Sequence, residues 1–283
     1  MQNNKGKWRY FPLFVLPTLI AFCIAFIVPF LMGIYLSFTK FTTVTNAKFT
    51  GLANYKYVFS TDNGFLHSLG FTALFTVVAV LTVNLFAFCM ALLLTRGMRG
   101  TNLFRSVFFL PNLIGGIVLG YIWQIIINGV LLRYGVDITV NAKYGFWGLV
   151  VLMNWQLIGY MMVIYIAGLQ NVAPAINEAA QIDGAGWFKR LIHITIPSVM
   201  PSFTICLFLT LTNSFKLFDQ NLALTAGAPA RQTEMLALNI YNTFYGRNGF
   251  EGVGQAKALL FTLMVMIIAF VQLKLTRSRE VDE

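Results

Sequence analysis

Two clusters of polar side chains sit in this chain where polar side chains are costly. Asn154, Trp155, Gln156 and Tyr160 fall within one long apolar run, and Thr210, Thr212, Asn213 and Ser214 fall within another, followed by Lys216 and Asp219. Amides and hydroxyls supply hydrogen bonds and the aromatic rings beside them supply flat apolar surface, so the chemistry on offer is reversible contact with a polar partner. Each polar group also has a second use, as a hydrogen bond between helices. Bond-breaking chemistry would need an acid, a base or a metal constellation inside the runs. Tyr144 to Asn177 and Ile194 to Phe215 contain no Asp, Glu, Lys or Arg. Cys23, Cys89 and Cys206 fall at no metal-binding spacing, and His67 and His193 are single histidines, so no metal and no cofactor is expected.

The elements that carry these groups follow from composition. Hydrophobic residues make up 58% of the chain and charged residues 11%, with a mean hydropathy of +0.72, which is the balance of a membrane protein. Lipid satisfies no backbone hydrogen bond, so a spanning segment is a helix of about 20 apolar residues or a barrel strand of about 10 alternating ones. The runs here are long and do not alternate. They are Tyr10 to Thr39, Ser68 to Thr95, Ser106 to Leu132, Tyr144 to Asn177 and Ile194 to Phe215, with a shorter sixth, Ala258 to Leu273, bracketed by Lys257 and Lys274. The spacing predicts an all-α polytopic membrane protein with six transmembrane helices over 10–38, 69–95, 107–129, 147–169, 197–216 and 257–275. Residues 1–9 form an N-terminal segment, 10–276 the transmembrane domain and 277–283 a tail. The first run is about twice the length of a signal-peptide core and no A-x-A site follows it, so it reads as an uncleaved anchor.

Six spans put both termini on one side of the bilayer. Lys5, Lys7, Arg9, Arg96, Arg99, Lys189, Arg190 and Lys274 crowd beside helix ends on that side, and the positive-inside rule makes it the cytoplasm. The net charge of +10 belongs to these flanks, and no basic patch interleaved with stacking aromatics points to nucleic acid. Asn84, Gln124 and Asn128 read as structural hydrogen-bonding groups, and Trp155 as a packing residue. Between helices four and five lies the segment 171–197, cytoplasmic in this topology. Its residues 177–197 read NEAAQIDGAGWFKRLIHITIP. Pro174 suits a first helical turn, Asp183-Gly184-Ala185-Gly186 breaks the helix, Asp183 is available to cap the turn, and a second short helix runs from Trp187 to before Pro197. A small-residue face of Ile176, Ala179, Ala180 and Asp183, with Glu178 beside it, lets another protein's backbone approach. The same segment could instead lie on the membrane surface. The segment from Lys216 to Lys257 exceeds an ordinary connection, and helical periodicity runs through Ala230–Tyr245 after a turn at Gly227-Ala228-Pro229.

Glu178-Ala179-Ala180, then Asp183-Gly184-Ala185, Ile196-Pro197 and Pro201, resembles the EAA loop of the membrane subunits of ATP-binding cassette importers. The resemblance runs through nearly the whole chain, in Phe14-Val15-Leu16-Pro17, Gly51-Leu52-Ala53-Asn54-Tyr55, Phe109-Leu110-Pro111 and Gly168-Leu169-Gln170, and it points to the carbohydrate-uptake permeases similar to those for maltose, glycerol-3-phosphate and multiple sugars. Leu224-Thr225-Ala226-Gly227-Ala228-Pro229 departs from the family's LTxGGP, with Ala228 in place of a glycine. The resemblance implies a MetI-like transmembrane domain of the bacterial plasma membrane that forms half of a translocation path for a sugar, most simply an oligosaccharide. It implies a second homologous permease as heterodimer partner, two cytoplasmic ATP-binding subunits and an extracytoplasmic sugar-binding protein. Glu178, Ala179, Ala180, Asp183 and Gly184 would couple to the ATPase. The chain carries no GxxxxGK[ST] loop, so nucleotide chemistry belongs to another polypeptide and this chain is no enzyme. Counting from both motifs against the maltose importer sets Tyr160, Thr210, Asn213, Ser214 and Leu217 at the positions of its sugar pocket. Glycerol-3-phosphate as the solute, or a passive channel, are the competing readings.

Overall fold

The computed structural model describes residues 12–60, 64–97 and 100–277; the expected N-terminal segment 1–9 and all of the expected tail beyond Arg277 lie outside the described residues. The order of elements is α1 (Leu16–Ser37), β1 (Thr39–Lys40), β2 (Lys48–Phe49), α2 (Ala53–Val58), α3 (Phe65–Leu94), α4 (Thr101–Phe109), α5 (Gly116–Leu131), α6 (Ala142–Gln170), α7 (Pro174–Ile182), α8 (Trp187–Ser198), α9 (Met200–Phe215), α10 (Asp219–Leu224), α11 (Leu236–Gly246) and α12 (Glu251–Arg277). Among these, α1, α3, α5 with the turn that ends it at Tyr134, α6 and α12 are each long and apolar enough to cross a bilayer; α8 and α9 meet that test only when taken together, bent by 71° at Val199, which brings the number to six where the bent pair counts as one span.

One expected span and one expected loop helix differ from the sequence reading. The run expected to span over 107–129 divides into α4 and α5, separated by a 3-10 turn at Leu110–Leu113 and the extended residues Ile114 and Gly115. Pro111 has no N–H to continue the helical ladder, and Gly115 caps the restart. In the segment expected to couple to an ATPase, the helix expected to stop before Pro197 instead continues to Ser198. A π-turn over Leu191–Thr195 makes this possible, because the Ile196 N–H reaches back to Leu191 O and the widened turn leaves room for the Pro197 ring. The same device recurs in α1, where a π-turn over Cys23–Ile27 precedes Pro29.

The chain forms two compact units. The first comprises the described residues of 1–63 together with 240–262. In it the antiparallel pair β1 and β2 is joined to α2 by Asn54, whose Nδ2 donates to Ser37 O at 2.9 Å and Thr39 O at 2.8 Å. Gly252 opens α12 against Thr39 O so closely that a side chain there would collide with it. The second unit, the described residues of 64–239 and 263–277, holds most of the helical bundle. Its central helix α3 buries Phe65, Ser68, Thr72, Phe75, Ala79, Val83, Ala87, Ala91 and Leu94, one stripe at spacings of three and four. That stripe packs on Leu149, Met153, Met161 and Tyr165 of α6 and on Cys206 of α9. Glycines set the closeness: Gly159 brings α6 onto the backbone of α4 at Phe108, and Gly168 brings it onto α9 at Ser202. With no hydrophobic drive between helices in lipid, such close backbone approach and interhelical hydrogen bonds carry the association.

Candidate functional site

Four side chains of the α6 and α9 runs hold helices in register. Asn84 of α3 donates to Thr210 Oγ1 at 3.2 Å and accepts from Tyr165 Oη at 2.8 Å, which ties α3, α6 and α9 together. Thr210 is wholly buried and donates to Cys206 O at 2.7 Å. Asn154 of α6 donates to Thr82 Oγ1 of α3 at 2.9 Å. Thr212 turns its hydroxyl back to Phe208 O. Trp155 meets Trp123 edge to face.

Toward the end of α9 the polar groups gather around open space. A cavity of about 230 Å³ is lined by Asn112 from the break between α4 and α5, Gln156 and its neighbours Met153 and Leu157 on α6, Asn213 on α9, and Lys216 to Gln220 leading into α10. The break at Pro111 is what brings Asn112 to this wall. The short helix α10 reaches the site because α5 presents Gly116 and Gly120 to it: a Cβ on either would stand 2.6 Å from Asp219 Cβ or 2.7 Å from Ala223 Cβ. Behind α10, buried Asn221 fixes the loop that follows by donating to Thr233 O at 2.8 Å and accepting from Met235 N at 3.0 Å. In that loop Ala226, Gly227, Ala230 and Arg231 take left-handed backbone while Ala228 does not, so a methyl at the position of the family's usual glycine meets no backbone penalty. The turn occupies residues up to Met235, which is why the expected helix over Ala230–Tyr245 begins only at Leu236.

Of the residues proposed from the sequence to contact substrate, Asn213 and Leu217 line this cavity. Tyr160 stacks edge to face on Phe109. Thr210 and Ser214 are fully buried outside the lining, and Ser214 Oγ has no hydrogen-bond partner among the described residues. Gln156, Lys216 and Asp219 were marked by their polarity in the sequence and also line it. Asn112 and Gln220 were missed. An asparagine after Pro111 and a glutamine after an acid carry no signal until the chain folds them to one wall.

The segment between α6 and α9 is built from local rules. α7 ends in a Schellman motif: Ala185 N bonds to Ala180 O at 2.9 Å, Gly184 N to Gln181 O at 3.0 Å, and Gly184 sits at φ +77°. Glu178, Ala179, Asp183 and Gly184 are exposed and Ala180 half-exposed, so the expected docking face is open to solvent. Asp183 occupies the C-cap of α7, while the start of α8 is capped by Gly186. Two contacts brace the segment. With its amide oxygen toward Arg190, Gln181 accepts from the guanidinium at 2.7 and 3.2 Å, which joins α7 to α8. Arg96, just past α3, lies 5.6 Å over the Trp187 ring.

A membrane bundle with a solvent-exposed helix–bend–helix and an internal polar cavity defines a class, that of transport permeases. Residues 98–279 match the family model described as "Binding-protein-dependent transport system inner membrane component", and the chain belongs to that family. Over 99% of its length it is 42% identical to the probable starch degradation products transport system permease protein AmyD of Thermoanaerobacterium thermosulfurigenes, covering 97% of that protein. It is 28% identical to the multiple sugar-binding transport system permease protein MsmF of Streptococcus mutans, with 95% of each chain covered. A chain of the crystal structure of a bacterial ABC transporter involved in the import of the acidic polysaccharide alginate superposes with a TM-score of 0.81 at 17% identity over 97% of both chains, which establishes the shared fold. The chain is thus the multi-pass membrane permease of a binding-protein-dependent ATP-binding cassette importer, a transport subunit whose ATPase is a separate polypeptide.

Proposed function

We propose that this chain imports an oligosaccharide, forming half of a path completed by a second homologous permease, with two cytoplasmic ATPase subunits below and a sugar-binding protein outside. The observation that carries the reading is the cavity: amides of Asn112, Gln156, Asn213 and Gln220 beside the apolar Met153, Leu157, Leu217 and Phe218 suit the hydroxyls and ring faces of a sugar. The names of AmyD and MsmF agree with that chemistry. At about 230 Å³ the cavity is smaller than the roughly 300–1,000 Å³ of a complete small-molecule site, so it receives part of the sugar and the partner permease encloses the rest. Asn213 and Leu217 contact the sugar directly, while Tyr160, packed on Phe109 outside the lining, and the buried Thr210 and Ser214 support the helices that present them.

Glu178, Ala179, Ala180, Asp183 and Gly184 dock in a groove of the ATPase, with Glu178 paired to a basic residue there. Closure of two ATPases around ATP draws the docked helices together and rocks the spans from inward-facing to outward-facing. The permease resides in a bacterial plasma membrane with both termini in the cytoplasm. A second reading, glycerol-3-phosphate, draws support from Lys216 in the cavity and from a 30% identical relative named for that solute. Asp219 in the same lining counts against an anion.

The deciding experiment is ATPase stimulation in the reconstituted importer with its binding protein, across a panel of maltodextrins, other sugars and glycerol-3-phosphate. Stimulation by a sugar, retained in Lys216→Met, is expected. Stimulation by glycerol-3-phosphate alone, abolished in Lys216→Met, would replace the sugar reading.

A further inference from the structure

We propose that Gln156 and Gln220 act together as the specificity element of the cavity, a fixed donor and acceptor that read adjacent hydroxyls of the transported sugar; the inference rests on the sugar reading given above. Gln156 stands on α6 and Gln220 on α10, with 8% and 9% of their surfaces exposed, and both line the cavity. Gln220 Nε2 donates to Gln156 Oε1 at 2.8 Å. That bond leaves the Gln156 NH2 and the Gln220 carbonyl without side-chain partners among the described residues. Exchanging O and N in both amides leaves the same complement, one NH2 and one carbonyl. Amide groups at this depth are costly to leave unmet, so water or a ligand fills them.

The pair is held rigid from both sides. α10 sits against Gly116 and Gly120 with no space for a side chain between, and Asn221 anchors the loop after it. On the other side α6 is locked to α4 at Gly159 and to α3 through Asn154 and Thr82. A donor and an acceptor fixed side by side match a vicinal diol, in which one hydroxyl accepts while its neighbour donates. A site built to bond a hydroxyl rejects the analogue that lacks it far more strongly than an apolar pocket rejects an extra group, because its own buried amide is then left unpaired.

The test compares uptake of maltotriose with uptake of its monodeoxy analogues in proteoliposomes holding the complete importer and its binding protein. In the wild type, at least one monodeoxy analogue is taken up tenfold or more slowly than maltotriose. In Gln156→Met and Gln220→Met, maltotriose uptake falls about tenfold and its ratio to that analogue moves toward one. The double variant is no worse than either single variant, as expected for groups that act as a unit. The binding protein is the same throughout, so a change in the ratio reports the permease. Assembly is followed by co-purification of the ATPase, and where a Met variant fails to assemble, the isosteric Gln156→Glu or Gln220→Glu takes its place. Assembled variants that keep the wild-type ratio, or a wild type that takes up every analogue as fast as maltotriose, overturn the inference alone. A wild type that takes up no maltodextrin, and whose ATPase no sugar stimulates, overturns the sugar reading and this inference with it.

Discussion

A methyl group on Gly159 would collide with the carbonyl oxygen of Phe108, so this one hydrogen side chain sets the distance between α6 and α4. Gly159→Ala is expected to cost at least the roughly 1–3 kcal/mol typical of overpacking, since the obstacle is backbone and cannot rotate away. A thermal shift assay on the detergent-solubilised complex checks this, and an unchanged midpoint would show that the two helices can separate at no cost. Asp137, in the loop before α6, is a residue-scale case governed by charge. The Thr139 hydroxyl and backbone N–H both donate to its carboxylate, at 2.5 and 2.6 Å, and they hold its pKa below the ordinary carboxylate value. A depressed folded-state pKa adds stability that is present above the unfolded value near 3.9 and is lost as pH falls through the folded one. The loop is therefore expected to keep its order through neutral and mildly acidic pH and to loosen only below about pH 4. Thr139→Val should raise the Asp137 pKa, which NMR titration of a labelled carboxyl reads directly. These residue roles were only partly legible beforehand. Asn84 could be read in advance as structural, since a lone amide in a span needs a partner, but the sequence does not say that the partner is Thr210, 126 positions away.

At the scale of elements, α7–bend–α8, the segment proposed to dock on the ATPase, is the part most fully specified by its own residues. A helix that ends in left-handed backbone wants glycine there, and Gly184 supplies it with no tertiary neighbour within 4 Å of a built Cβ. Gly184→Val places a β-branched side chain in that conformation at a cost of about 1–2 kcal/mol, all of it local. The expected outcome is normal membrane insertion with loss of ATPase co-purification; Glu178→Ala should leave the helix intact and abolish uptake. Uptake surviving both changes would refute docking through this loop. The braces at Arg190 and Trp187 were not foreseeable, because Arg96 meets Trp187 only when α3 and α8 end side by side. Arg96→Ala removes a contact worth about 0.5–1 kcal/mol at an exposed site, and should lower uptake per ATP hydrolysed without preventing assembly. The third expected span shows the opposite limit. Its apolar run is continuous, yet Pro111 and Gly115 divide it, and counting charges alone passes over both.

For the whole molecule, topology is the property with the widest consequences, since it decides which face meets the ATPase. In a background lacking Cys23, Cys89 and Cys206, a cysteine in place of Lys189 should react with an impermeant maleimide only from the cytoplasm, and one in place of Arg247 only from outside. The reverse pattern would invert the assignment of every loop. The membrane class and the helix–bend–helix between α6 and α9 were readable from the sequence by itself, for one physical reason: run length, charge exclusion and the glycine C-cap are local properties, satisfied or violated within about 20 residues. The tertiary structure alone decided which face of each helix is buried and what it touches. In a soluble protein polar residues mark the outer face, but here lipid and core are both apolar, so α3 shows its buried stripe only once α6 and α9 are packed on it. The pairing of Gln156 with Gln220, 64 residues apart, depends on helix rotation, on the glycines that admit α10 and on the break at Pro111. None of these is expressed in hydropathy, and together they make the cavity.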